Sequence, residues 1–127
     1  MDSPFIIPSN PTPKEIIELT ACATNTLALI AEKLARYKNV LNEAEDLLKQ
    51  IQSERLLLYM EQYPKANQLK LKALVDVDID VKETKKVYKE AKAKFILTET
   101  EYKTWDNRFI CLRKIASIME TELKSIR

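Results

Sequence analysis

The stretch VDVDIDV, residues 75–81, places Asp76, Asp78 and Asp80 at every second position, the spacing with which a D-x-D-x-D loop begins to wrap calcium. The rest of that loop is absent. The position that needs glycine for the sharp turn is Val81, and the position that needs a bidentate glutamate is Val87. The same alternation suits a half-buried β-strand, but no other segment of the chain alternates to pair with it. Histidine, the commonest general base and transition-metal ligand, does not occur at all. Nor does glycine, whereas average usage would place about nine in a chain of this length. Phosphate-cradling loops and two-residue hairpin turns thereby lose the residue that reaches positive φ at no steric cost. The expectation is a protein without catalytic residues, bound metal or cofactor, and therefore not an enzyme.

Three constellations remain that are able to bind something. The first is a run of lysines, Lys82, Lys85, Lys86, Lys89 and Lys92, with Lys94 beyond it and Lys65, Lys70 and Lys72 before it. Such a stripe suits the phosphate backbone of a nucleic acid, and lysine rather than arginine points to backbone and not to base edges. The alternative is a solvated face neutralised by its neighbours. The second is the aromatic series Tyr88, Phe95, Tyr102, Trp105 and Phe109, whose spacing places it in a helical core and not on a base-stacking platform. The third is Trp105, Asp106, Asn107 and Arg108 with Arg113. Trp105, Arg108 and Arg113 form the expected protein-partner surface, because tryptophan and arginine are enriched where interfaces concentrate their energy. Cys22 and Cys111 are two thiols far apart in sequence and imply neither a disulfide framework nor a zinc site.

These residues must be positioned by helices. Thr12, Pro13 and Glu15 spell a capping box with proline at the first helical position, and prolines at 4, 8 and 11 make residues 1–11 an extended arm. Apolar residues then recur at alternating steps of four and three from Ile16 through Ala23, Ile30, Tyr37, Ala44 and Ile51 to Leu58, with only Thr20 and Arg55 polar among thirteen positions. A second track runs from Leu74 through Val77, Val81, Tyr88, Phe95, Tyr102, Phe109 and Met119 to Ile126, with only Thr84 and Thr98 polar among sixteen. A period of 3.5 residues held over many turns is the pattern of a coiled coil. Pro64 ends the first helix. The predicted fold is all-α: a long antiparallel hairpin in one domain over 12–127, with helices over about 13–62 and 65–126. On this reading the second helix runs unbroken through VDVDIDV, with Val77 and Val81 on the seam and Val75 and Ile79 left outside.

Folding back at Pro64 makes facing residue numbers sum to about 128, so that Tyr37 meets Ala91 and Ala23 meets Trp105. Charge is distributed to match. Residues 1–64 carry 6 basic and 9 acidic groups, and residues 65–127 carry 15 and 10. The acidic Glu43, Glu45, Asp46, Glu54 and Glu61 are expected beside the lysines. More apolar residues are present than one seam uses, and an overhang of Ala116, Met119, Leu123 and Ile126 needs cover from Phe5, Ile6 and Ile7 or from another copy. Self-association is expected, most simply as a dimer of hairpins forming a four-helix bundle or else as a larger oligomer. The candidate residues are Ile96, Leu97, Ile110, Ile115, Ile118, Met119, Leu123 and Ile126.

The pattern Tyr88-x-x-Ala91-Lys92-x-x-Phe95, followed by Tyr102 and Trp105, resembles small coiled-coil accessory proteins encoded by bacteriophages. That resemblance covers mainly the second helix and carries no binding residue across. It implies a viral protein that acts by binding a host or viral macromolecule. No signal peptide or membrane span is legible, so the expected place is the cytoplasm of a cell or virus-infected host. The functional expectation is a scaffold, adaptor or inhibitor that binds itself and another protein, with nucleic-acid binding through the lysines as the rival.

Overall fold

The computed structural model describes residues 5–126, the side chain of Ile126 excepted, and its regular structure is wholly helical. Helix α1 spans Pro13–Gln62, α2 spans Gln68–Val77 and α3 spans Ile79–Ile126. No strand occurs among the described residues, and none of their helices is long and apolar enough to cross a membrane.

The capping box forms as its residue types require. The Glu15 N–H donates to Thr12 Oγ1 at 3.2 Å, and Glu15 Oε1 accepts in return from the Thr12 N–H at 3.2 Å. At the far end of α1 the Tyr63 N–H closes the last turn on the Tyr59 carbonyl at 2.8 Å, and Pro64 then ends the ladder. The chain reverses through a bond from the Ala66 N–H to the Tyr63 carbonyl at 3.0 Å. Asn67, with φ −77° and ψ 171°, starts α2 by accepting from the Lys70 N–H at 2.8 Å. No described residue has positive φ, the backbone counterpart of a chain without glycine.

The second helix differs from expectation. It begins at Gln68 because Asn67 is a better cap than Pro64 is a start, and it is broken at Asp78, which is extended at φ −61° and ψ 133°. Aspartate and β-branched residues are mediocre in a helix interior, whereas aspartate is among the best residues to start one. Asp78 Oδ1 accepts from the N–H groups of Asp80 at 3.0 Å and Val81 at 3.2 Å, so the residue that ends α2 also caps α3. One extended residue rotates what precedes it. Val75 is 7% exposed and Val77 is 60% exposed, the reverse of what an unbroken helix would give. Ile79 stays outside as expected, and Val81 is buried.

Packing divides the chain into two compact units. In the first, residues up to 32 join those from 99 onward, around a cluster of Ile16, Ala23 and Leu112. Phe5, Ile7, Leu19, Trp105, Phe109, Ile115 and Met119 pack against it. The second unit, residues 33–98, has its cluster in Leu48, Val75 and Val81, with Ile51, Tyr59 and Tyr88 around it. Along α1, twelve of the thirteen track positions are buried or half-buried, and only Leu58 is exposed.

The threonine positions of both tracks are accommodated locally. Thr20, Thr84 and Thr98 each turn the hydroxyl back onto the carbonyl four residues earlier, at 2.7, 2.8 and 2.9 Å. Thr98 is thus buried with its hydroxyl satisfied, and no buried side-chain polar atom among the described residues lacks a partner. Leu112, at 0% exposure, supplies the sharpest stability contrast. Leu112→Ala is expected to lower unfolding free energy in urea by about 2–5 kcal/mol. Leu123→Ala, at an exposed position, should change it by less than about 0.5 kcal/mol.

Candidate functional site

The aspartates of VDVDIDV meet α1 at Arg55 and Tyr59. The Tyr59 hydroxyl donates to Asp78 Oδ2 at 2.5 Å, and Arg55 Nε lies 3.7 Å from Asp78 Oδ1. The Arg55 Nη2 pairs with Asp80 Oδ2. Arg55, one of the two polar members of the α1 track, thus closes a hydrogen-bonded node over the helix break. Sequence reading passed over this node, although an arginine on an apolar track and an aspartate in a capping position were its two signals.

The Tyr59 hydrogen bond, above all, holds the Asp78 carboxyl below the usual carboxylate value. Burial opposes that shift, while the Val81 N–H, the Arg55 charge and the Asp80 N–H reinforce it. The same hydrogen bond, followed by burial and the Asp78 charge, pushes the Tyr59 hydroxyl above the usual phenol value. A depressed carboxyl stabilises the fold above its unfolded value, near 3.8, and that contribution is lost as pH falls through the lower folded value. A raised phenol does the opposite, stabilising below 10.0 and losing its contribution as pH rises through the folded value.

The lysines lie where the sequence places them. Lys82, Lys85, Lys86, Lys89 and Lys92 are all exposed on α3. The neutralisation expected from α1 is not formed by ion pairs. Glu45 pairs with Lys49 on its own helix at 3.2 Å, Glu54 accepts from Gln50 at 3.1 Å, and no ion pair among the described residues involves the five lysines. Lys92 leans over the Tyr88 ring at 6.0 Å. The aromatic series Tyr88, Phe95, Tyr102, Trp105 and Phe109 is half-buried throughout.

Trp105 is engaged by the chain's own arm. Phe5 meets it edge-on, with centroids 5.2 Å apart and planes at 69°. The Arg108 guanidinium carbon sits 4.6 Å from the indole centroid and 5.2 Å from that of Phe5. Arg113, exposed, lies 5.9 Å from the Phe109 centroid. Of the three residues expected to form a partner surface, Trp105 and Arg108 therefore grip the arm, and Arg113 faces solvent.

Among the apolar candidates, Ile96, Leu97, Ile110, Ile118 and Leu123 are exposed. Ile115 and Met119 pack against the Ile16, Ala23 and Leu112 cluster, and the Ile126 side chain lies outside the described residues. The arm covers part of the overhang: Phe5 and Ile7 face inward, Ile6 faces outward, and Ala116 stays exposed. A groove of about 860 Å3 that the track analysis did not anticipate opens between α1 and α2, lined by Leu56, Met60, Leu71 and Val75 together with Lys49 and Lys72. Of the apolar run Leu56-Leu57-Leu58, only Leu56 lines it.

Two measurements check this geometry. In urea unfolding, Tyr59→Phe should be less stable than the parent near neutral pH, and the gap should close as pH falls below about 3.8, because the carboxyl it spares is then protonated. Trp105 is the sole tryptophan, so tryptophan emission comes only from the residue that the arm meets. Phe5→Ala should shift that emission to longer wavelength and raise its quenching by iodide, with the far-ultraviolet circular dichroism unchanged. No protein family, curated protein or solved structure matches this chain.

Proposed function

We propose that this protein is a non-enzymatic interaction protein of the scaffold, adaptor or inhibitor kind, an antiparallel helical hairpin of coiled-coil type that pairs with a second copy and acts by occupying a surface on another protein. The observation that carries this reading is the set of large apolar side chains left exposed off the buried tracks. Leu57 on α1 and Leu97 and Ile118 on α3 are 63%, 62% and 60% exposed. Scattered apolar residues on a protein surface need no explanation, but residues that recur on helices already buried along another stripe suit a further helical neighbour. Two hairpins joined along such ridges form a four-helix bundle, the simplest closed arrangement with twofold symmetry. The likeness of residues 88–105 to phage-encoded coiled-coil accessory proteins favours the same class.

The mass in solution tests this directly. Multi-angle light scattering should return about twice the 14.7 kDa of one chain. The double variant Leu97→Glu with Ile118→Glu should return the mass of one chain while keeping its helical circular dichroism, because both side chains are exposed and neither belongs to a buried cluster. A parent that remains at the single-chain mass at high concentration would sink the self-association on which this reading rests.

A further inference from the structure

We infer that the lysine face of α3 is a docking surface for the phosphate backbone of duplex nucleic acid, read without sequence preference. This does not depend on self-association; it rests on how five charges are arranged. At 3.6 residues per turn, Lys82, Lys85, Lys86, Lys89 and Lys92 fall within about a third of the helix circumference. Glu83 and Glu90, the acidic residues of the same stretch, fall outside that arc.

The environment of these lysines separates them from ordinary surface charge. Lys49 and Lys124 are each satisfied by a glutamate four residues earlier, at 3.2 and 3.3 Å. Four of the five lysines of the α3 face have a like charge or a neutral residue four positions earlier, and Asp78, which stands there for Lys82, is already committed to Tyr59, Arg55 and the α3 cap. The acidic residues of α1 do not reach them either. Among the described residues the face thus concentrates positive charge with no ion-pair partner, which self-repulsion disfavours unless counterions or a polyanion neutralise it.

Dimensions and chemistry select the polyanion. From Lys82 to Lys92 the face runs about 15 Å, enough to meet about four phosphates spaced at about 3.4 Å along one strand. Lysine supplies point charges suited to phosphate oxygens, and no arginine stands on the face to fork onto a guanine edge. Single strands are held largely by stacking on exposed rings. Here Tyr88 and Phe95 are half-buried, and Tyr63, outside this face, is the one exposed aromatic among the described residues. The arrangement therefore favours a duplex backbone over unpaired bases.

The test is a fluorescence-anisotropy titration of the full-length protein against duplex DNA of two unrelated sequences, from about 50 mM to about 200 mM salt. The expected result is equal binding to both, with log K falling against log salt at a slope of about −3 to −4. Lys85→Glu with Lys89→Glu should weaken binding at least about ten-fold and reduce the slope by about 2, whereas Lys85→Arg with Lys89→Arg should retain it. Lys38→Glu, an exposed change elsewhere, should leave binding in place. Absence of binding at about 50 mM salt would overturn the inference, as would binding that the two glutamates leave untouched. Tighter binding of an acidic peptide than of duplex would reassign the face to a protein partner. A fall in light-scattering mass caused by the two glutamates without any DNA binding would reassign it to a second copy of this chain.

Discussion

The carboxylate of Asp78 decides where α3 begins, and the identity of the buried residues around it follows from that. It takes the Tyr59 hydroxyl and the N–H groups of Asp80 and Val81, and the Arg55 guanidinium sits beside it. A helix start needs its first N–H groups satisfied, and a short acidic side chain in extended conformation does this best. Once that residue is extended, α2 and α3 no longer share a phase. Val75 and Val81, six residues apart and on different sides of one continuous helix, can then enter the same cluster with Leu48. The node is polar but incompletely buried, so its value lies in fixing one register more than in raw stability.

The remainder of the packing follows from small and polar residues placed among large ones. Ala23, Ala44 and Ala91 are buried, and Tyr37, Tyr88, Phe95 and Trp105 are half-buried, so narrow and wide side chains share the same stripes. Threonine fits because its hydroxyl bonds to its own helix, leaving the methyl group for the neighbour. The polar bridges described from α1 are those of Arg55 and Tyr59 to Asp78 and Asp80.

Much of this was legible in the residues. The capping box at Thr12, the end of α1 at Pro64 and twelve of its thirteen track positions follow from local rules that tertiary contacts do not disturb. Asp78 was harder because its preference for a cap competes with a helical period running through it, and only the Arg55 and Tyr59 contacts from α1 decide between the two. The period test asks whether each position suits a stripe, and it cannot register a phase change that costs a single residue. Surface roles were less legible still. Trp105 and Arg108 have the composition of an interface, and they form one, but with Phe5 of the same chain. Sequence spacing does not say whether an interface is internal.

The backbone of α1 and that of α3 are unbroken ladders of 50 and 48 residues, and the described chain between them opens only around residues 63–67 and at Asp78. Every peptide group elsewhere from Pro13 to Ile126 is enclosed in its own turn. Between the two long helices a protease therefore finds non-helical backbone in two places, five residues at the first and Asp78 alone at the second, and both flank the ten-residue α2. Cutting at both would free the ends of α2, whose buried Leu71 and Val75 are then all that seats it.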